Sequence, residues 1–209
     1  MKKRLISLIL AVSMMLSILP TGAFAASAGA GTSNERDLYT VVQKAKRGES
    51  SDGSWSLSGG TLCLNVGYVF TISDVSTVTT VTIDFPVVNM GTIRGTNLAR
   101  LDLKEEFRNS GSITGCELSG SKAFYNSHEI ANCRVTLSEL TNESKIFYTA
   151  FEENSTLVNQ QNALAEKCVF KGFGGVDNHG EIRSSVLDFN ASLFCNYSTG
   201  TIEETLFSF

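Results

Sequence analysis

An apolar pattern that returns every 16 to 20 residues organises most of the 209-residue chain. Each unit has an apolar anchor, a second apolar residue five positions later, and an amide four positions before the anchor. Repeats of about 20 residues are typical of solenoids. The anchors are Ile93, Ile113, Ile130, Ile146, Leu164, Ile182 and Ile202. The second apolar residues are Leu98, Leu118, Val135, Phe151, Val169, Leu187 and Phe207.

The amide column is the most regular polar feature of this repeat, with Ser198 as its exception. Its members are Asn89, Asn109, Asn126, Asn142, Gln160 and Asn178. Strands of successive coils in a parallel solenoid are stacked about 4.8 Å apart, so residues of one column become neighbours. We therefore expect an interior isoleucine ladder, and an amide ladder at a turn where asparagine adopts the left-handed conformation.

The repeat selects one solenoid class. The unit is too short for a helix pair, does not follow a leucine-rich pattern, and lacks the six-residue rhythm of left-handed β-helices. The sequence thus predicts an all-β fold, a right-handed parallel β-helix of about seven to nine coils. It spans residues 49–209 and is clearest from residue 87. We expect the variation in spacing to fall after the second apolar position, where a loop can absorb it.

The N-terminal residues show patterns of export and of capping. A basic start, an apolar run over residues 5–19 and the triplet Ala23-Phe24-Ala25 predict a signal peptide at residues 1–25. The mature protein would therefore be secreted or lie at the cell surface. Residues 26–33 are rich in Ala, Gly and Ser, and predict a flexible leader. Apolar residues at helical spacing predict a capping helix within residues 34–48, which would cover the open end of the solenoid. They are Leu38, Val41, Val42 and Ala45.

The order of signal peptide, the segment Asp37–Gly48 and then β-coils resembles the start of pectate-lyase-like right-handed β-helix proteins. Those proteins commonly open with a capping helix of the type D-L-x-x-A-[VI]-x-x-A-x-x-G. The resemblance is one of architecture, and it implies the β-helix fold. Members include polysaccharide lyases, glycoside hydrolases and adhesins, so the fold alone does not choose a function.

The charge of the chain disfavours two classes of partner. Loss of Lys2, Lys3 and Arg4 with the signal peptide lowers the basic count from 17 to 14 against 21 acidic residues, a net charge of −7. Nucleic acid and anionic membranes are therefore unfavourable partners. No second apolar run of about 18 residues follows, so no membrane span is predicted.

Catalytic chemistry has little support in the sequence, and we assign no catalytic residue. An Asp-Asp pair, expected in hydrolases that resemble polygalacturonases, does not occur, although glycoside hydrolysis needs two carboxylates. Asp102, Glu105 and Glu106, beside Lys104, form the one dense acidic group of the repeat region. They are the candidate Ca²⁺ site if the chain is a lyase, and a solvated loop is the alternative interpretation. No other cofactor is indicated.

Outward aromatic residues indicate a binding role instead. Tyr125, Phe147 and Tyr148 are predicted to face solvent on a flat β-surface, where aromatic rings stack on sugars. The sequence therefore favours a non-catalytic surface or structural module that interacts with carbohydrate or acts like an adhesin. Its partner would be a polysaccharide or a cell-surface component. The alternative is a polysaccharide-active enzyme, a lyase or glycoside hydrolase of the same superfamily, of which this chain would be a part.

Two further features concern cysteines and the last residues. Cys116 and Cys133 share a column in adjacent coils, so they form either an interior thiol stack or a disulfide. The segment Thr201–Phe209 stops in mid-coil with apolar residues. Either the chain is a fragment of a longer protein, or this end packs against a partner or a second copy, the latter being self-association through an uncapped C-terminal coil.

Overall fold

The protein is a parallel-stacked β-solenoid of about seven turns with one short helix near its N-terminus. The predicted fold class is therefore confirmed. The computed structural model describes residues 34–72, 80–152, 155–171, 174–188 and 193–208. The predicted signal peptide and leader, residues 1–33, lie outside the described residues.

The described strands are short, except where one strand continues around a corner of the coil. Helix α1 is Leu38–Lys46. The strands are β1 (Glu35–Asp37), β2 (Trp55–Ser58), β3 (Thr61–Leu64), β4 (Val69–Ile72), β5 (Thr80–Ile83), β6 (Val87–Asn89), β7 (Thr92–Leu103), β8 (Phe107–Asn109), β9 (Ser112–Asn126), β10 (Glu129–Ala131), β11 (Arg134–Asn142), β12 (Lys145–Phe147), β13 (Ala150–Phe151), β14 (Thr156–Asn159), β15 (Leu164–Glu166), β16 (Val169–Lys171), β17 (Gly175–Asn178), β18 (Glu181–Arg183), β19 (Val186–Asp188), β20 (Leu193–Asn196), β21 (Thr201–Glu203) and β22 (Leu206–Ser208).

Helix α1 covers the N-terminal end of the solenoid, as predicted, although it is shorter than residues 34–48. It begins after Asp37, whose carboxylate accepts a hydrogen bond from the Thr40 amide at 2.9 Å, and it ends before Gly48, where φ is +66°. Its apolar face is buried, and the helix contacts β1, β2, β4 and β5. The first coil therefore does not expose its apolar interior.

Apart from β2, which pairs antiparallel with β3, the strands form three parallel columns, and each column contributes one ladder of inward side chains. In column A the ladder is Leu62, Val87, Phe107, Phe124, Leu140, Leu157, Val176 and Phe194. In column B it is Phe70, Ile93, Ile113, Ile130, Ile146, Ala165, Ile182 and Ile202. In column C it is Val81, Leu101, Leu118, Val135, Phe151, Phe170, Leu187 and Phe207. The predicted isoleucine ladder is thus confirmed in column B.

The predicted register was wrong in places, because turn length varies at more corners than we expected. Asn159 and Ala165 occupy the column positions that were predicted for Gln160 and Leu164. In this coil the anchor follows the asparagine by six positions, whereas it follows by four positions in the coils before and after. The same shift puts Phe170 in place of Val169. The longer corner recurs in the last coil, where the asparagine column contains Asn196 and not Ser198. In the coil of Ile93 the second apolar residue is Leu101 and not Leu98.

The asparagine column forms a continuous hydrogen-bonded ladder inside the solenoid. The Nδ2 atom of each asparagine donates to Oδ1 of the next, over distances of 2.7 to 2.9 Å, and every member except Asn196 is fully buried. A fully satisfied amide ladder in the interior fixes the register of successive coils. The ladder consists of Asn89, Asn109, Asn126, Asn142, Asn159, Asn178 and Asn196.

The left-handed turn that we predicted for these asparagines lies elsewhere, since none of the seven has a positive φ. It follows column B instead, two residues after the anchor, with φ between +48° and +68°. The amide at this position donates to the following coil: Tyr148 N to Glu166 O and Lys167 N to Arg183 O, at 3.1 and 3.0 Å. These bonds hold residues that seldom adopt this conformation. The column consists of Gly115, Asn132, Tyr148, Lys167, Ser184 and Glu204.

The next residue along each coil is a small donor that points inward. Its thiol or hydroxyl donates to the carbonyl oxygen two residues earlier, for example from Cys133 to Ala131 at 3.2 Å and from Ser185 to Arg183 at 2.8 Å. Cys116 and Cys133 are both free, so the interior thiol stack is the alternative that the structure shows. The column consists of Cys116, Cys133, Thr149, Cys168, Ser185 and Thr205.

Candidate functional site

The left-handed turn after column B displays the most exposed aromatic side chain of the predicted site. Tyr148 is 50% exposed, and its backbone has φ +48°. The Lys167 Nζ atom donates to Tyr148 Oη at 2.9 Å and lies 5.0 Å from the centroid of its ring. This hydrogen bond is the main cause that raises the pKa of Lys167. The Lys167 ammonium group thus contacts the hydroxyl edge of a half-exposed ring.

Charged side chains continue this surface along the axis of the solenoid. Phe147, Glu166 and Arg183 are register partners in three successive coils. The Arg183 guanidinium lies 3.1 Å from the Glu166 carboxylate and 3.3 Å from that of Glu181. Its bond to Glu166 is the main cause that raises the pKa of Arg183. We name the surface formed by Phe147, Tyr148, Glu166, Lys167 and Arg183 the corner patch.

Tyr125 does not belong to the corner patch. It lies in column A, beyond the corner that separates that column from Phe147. The Arg108 guanidinium sits 5.0 Å from the centroid of the Tyr125 ring, and Arg108 Nε donates to Glu106 at 2.6 Å. The three predicted aromatic residues therefore form two surfaces and not one.

The predicted acidic site does not form a set of free oxygen ligands. Asp102 is paired with Lys104 at 2.9 Å, and Glu106 is paired with Arg108 at 2.6 Å. Among the described residues, no group of three His, Cys, Asp or Glu side chains is arranged to hold a metal ion. Calcium prefers six to eight oxygen ligands. Asp102, Glu105 and Glu106 as placed here do not fit a Ca²⁺ ion, and we derive no chemistry from one.

The interior thiols are not candidate nucleophiles. Burial raises the pKa of Cys133 and of Cys168 to about 12, and raises that of Cys116 well above its usual range. A thiol attacks as its thiolate, so these three groups are inert near neutral pH. Cys63 and Cys195 are the partly exposed thiols.

The charged residues of the corner patch were missed from the sequence, although their signal was present. If Leu164 is aligned with the anchor Ile146, as the sequence predicts, then Glu166 and Lys167 are each one position away from alignment with Phe147 and Tyr148. With Ala165 as the anchor they align with the two aromatic residues. An alanine among isoleucines gave no hydrophobic reason to choose that register.

Comparisons with known proteins add no family to this description: no family model matches the chain, and neither curated proteins nor solved structures gave a match. Within the described residues, no helix is long and apolar enough to cross a membrane.

Proposed function

We propose that this protein is a non-catalytic solenoid that binds carbohydrate through the corner patch, outside the cell or at its surface. The β-solenoid supplies a rigid support on which side chains of successive coils are spaced regularly. The export pattern of residues 1–25 supports the location. The partner class is a polysaccharide or a cell-surface glycan.

The half-exposed ring of Tyr148 beside the Lys167 ammonium carries this proposal. Aromatic side chains offer a large, rigid apolar surface with a polar edge. Lys167, Glu166 and Arg183 surround that surface with hydrogen-bond donors and acceptors that suit sugar hydroxyls. Binding needs no movement of the backbone, because the turn is tied by hydrogen bonds to the coil that follows.

The test is binding of the purified protein to a panel of neutral and acidic polysaccharides, with and without calcium. We expect retention on at least one polysaccharide, with no release of oligosaccharides by mass spectrometry. Tyr148→Ala should weaken that retention at least tenfold, because it removes the aromatic surface and the acceptor of Lys167. Tyr39→Ala is the matched control, since Tyr39 is 37% exposed on helix α1.

The alternative, a polysaccharide lyase or glycoside hydrolase, has a different result in the same experiment. Released products, unsaturated ones for a lyase, would replace our proposal with an enzymatic function. Mutation of Asp102 and Glu106 would then be the next step. Retention that is equal in the wild type and in Tyr148→Ala would move the binding surface away from the corner patch, with Tyr125 and Arg108 as the next candidates.

A further inference from the structure

We infer that the polysaccharide bound at the corner patch is neutral and extended, and that it lies along the solenoid axis over an apolar stripe beside that patch. The stripe consists of Ala150, Val169 and Val186. This inference rests on the proposed function and names the class of its ligand. A sugar ring has a face of C–H groups and a rim of hydroxyls, so it matches a surface that is apolar in the middle and polar on both sides.

The stripe is an outward row of column C, in the same three coils that carry the corner patch. Ala150, Val169 and Val186 are register partners in successive coils, and each side chain is half-buried. Each of them follows, by two residues, the left-handed turn of its own coil. Strands of successive coils are stacked about 4.8 Å apart, so the stripe extends for about 10 Å parallel to the solenoid axis. It can therefore contact consecutive rings of an extended sugar chain.

The same outward row is charged in the three preceding coils, where its side chains pair with each other. The Glu117 carboxylate lies 3.7 Å from the Arg100 guanidinium and 3.9 Å from that of Arg134. Arg134 is the register partner of Ala150, so the row changes from paired charges to apolar side chains where the corner patch begins. The β propensity of valine favours it equally in every coil. It therefore does not explain why the apolar run coincides with the corner patch.

The polar groups on both sides of the stripe suit hydroxyls better than carboxylates. On the side of the corner, the Arg183 guanidinium is shared between the carboxylates of Glu166 and Glu181. On the other side, Glu152 pairs with Arg134 at 3.3 Å. A guanidinium has five N–H donors and a carboxylate about four acceptor sites, so the paired groups retain capacity for sugar hydroxyls. A carboxylate of the ligand would instead compete with those of the protein for the same guanidinium groups.

The other charges near the patch also favour a neutral ligand. The left-handed column contributes one ammonium group, that of Lys167, and one carboxylate, that of Glu204, which accepts a hydrogen bond from Ser184 at 3.0 Å. The full sequence has a net charge of −4, which opposes the approach of a polyanion. A neutral polysaccharide does not experience this repulsion.

The experiment measures retention of the purified protein in affinity electrophoresis. The probes are soluble neutral β-linked glucan, mannan, xylan and galactan, carboxymethylated forms of the same backbones, and natural acidic polysaccharides. We expect retention by at least one neutral polymer and at least tenfold weaker retention by its carboxymethylated form. Between about 50 and 500 mM NaCl the affinity for the neutral polymer should change by less than about twofold, because binding of an uncharged ligand is not screened by salt.

Two substitutions of Val169 test the stripe. Val169→Asp should weaken retention by the neutral polymer at least tenfold, because the new carboxylate would lose its water beneath a sugar ring. Val169→Lys should reverse the preference, so that the carboxymethylated form binds more tightly than the neutral form. Val158→Asp and Val158→Lys are the matched controls, since Val158 is half-buried on the outward face of column A in the same coil. Both controls should bind as the wild type does.

Three results would overturn the inference and leave the proposed function standing. They are retention by acidic or carboxymethylated polymers alone, retention that salt abolishes, and equal retention of Val169→Asp and the wild type where Tyr148→Ala is impaired. Lack of retention by every polymer would overturn the proposed function and the inference with it. A concentration-dependent dimer in analytical ultracentrifugation that Val169→Asp dissociates would assign the stripe to a second copy of the chain instead.

Discussion

The Nδ2 atom of Asn126 lies 2.8 Å from Oδ1 of Asn142, although 16 residues separate them in the chain. Asn142 in turn donates to Oδ1 of Asn159 at 2.9 Å, and all three side chains are fully buried. This relationship, repeated from coil to coil, joins the coils by side-chain hydrogen bonds in addition to those of the strands.

Replacement of one rung should therefore destabilise the whole protein. Asn142→Leu has a similar volume, but it leaves one N–H of Asn126 and the Oδ1 atom of Asn159 buried without the partners they have in the ladder. Each unsatisfied buried group costs about 1–3 kcal/mol, so the two groups should lower the free energy of unfolding by about 2–6 kcal/mol in chemical denaturation. Thr141→Val, on the outward side of the same strand, is the control and should change it by less than about 0.5 kcal/mol. Equal effects of the two variants would contradict a structural role for the ladder.

The first rung of the ladder offers a way to extend it. Among buried side-chain polar atoms of the described residues, Asn89 Oδ1 is the one without a hydrogen-bond partner. Its register partner in the preceding coil is Leu64, which is fully buried. Leu64→Asn places an amide donor beside that oxygen, so the new hydrogen bond should offset part of the apolar burial that is lost.

The control for this change is Leu62→Asn, two residues earlier on the same face of β3. Leu62 is also fully buried, but its register partner is Val87, so the new amide would have no ladder partner there. We expect Leu64→Asn to unfold at a higher temperature than Leu62→Asn, by several degrees for a difference of about 1–2 kcal/mol. Equal melting temperatures of the two variants would show that Asn89 Oδ1 gains nothing from a donor.

Asp52 makes the stability of the N-terminal region sensitive to acid. Its carboxylate accepts hydrogen bonds from the side chain and backbone of Ser54 and from Arg36, and these lower its pKa to about 2. A carboxylate with a lowered pKa stabilises the fold above its ordinary pKa of about 4, and this contribution is lost as the pH falls toward 2. Asp52→Asn should therefore reduce the change in unfolding free energy between pH 4 and pH 2. Ser54→Ala, which removes the largest cause of the shift, should move the loss to higher pH.

The interior thiols give the opposite dependence at alkaline pH. Burial raises the pKa of Cys133 and Cys168 to about 12, whereas an unfolded thiol titrates near pH 8.5. The stability that these protonated thiols contribute is fully present below about pH 8.5. It is lost as the pH rises toward 12, because only the unfolded chain can release these protons easily. Cys168→Thr keeps a donor at a position where Thr149 and Thr205 already serve in the same column. It should therefore show a smaller loss of stability between pH 8.5 and pH 11.

Alkylation with iodoacetamide in the native state checks the same burial. We expect Cys63 and Cys195 to be modified and Cys116, Cys133 and Cys168 to be protected until the protein unfolds, as read by mass spectrometry. Rapid modification of Cys133 in the folded protein would contradict its burial.

The sequence predicted the parts of the fold that depend on apolar periodicity. The isoleucines of column B, the buried face of helix α1 and five of the seven ladder asparagines, Asn89, Asn109, Asn126, Asn142 and Asn178, follow directly from spacing. The corner of six residues after Asn159 could not be predicted, because its residues lie outside the three apolar ladders and its buried member, Ala163, is small. The small Ala165 then concealed the shift of register.

The left-handed column and the corner patch lay beyond sequence reasoning for a related reason. Tyr148, Lys167 and Ser184 adopt positive φ because their amides bond to the following coil, and not because their residue types prefer it. A conformation that a neighbouring coil imposes has no compositional signature. The partnership of Lys167 with Tyr148 depends on that conformation in both residues.

The corners of four and six residues have an evolutionary consequence. Coils with Asn142, Asn159 and Asn178 stack in one ladder although their corners differ in length, so a two-residue difference at this corner leaves the ladder asparagines in contact. Descendants of one ancestral coil can thus diverge in outline while they keep one interior. Common ancestry of such proteins would be visible in the order of their buried residues but not in the number of residues between them.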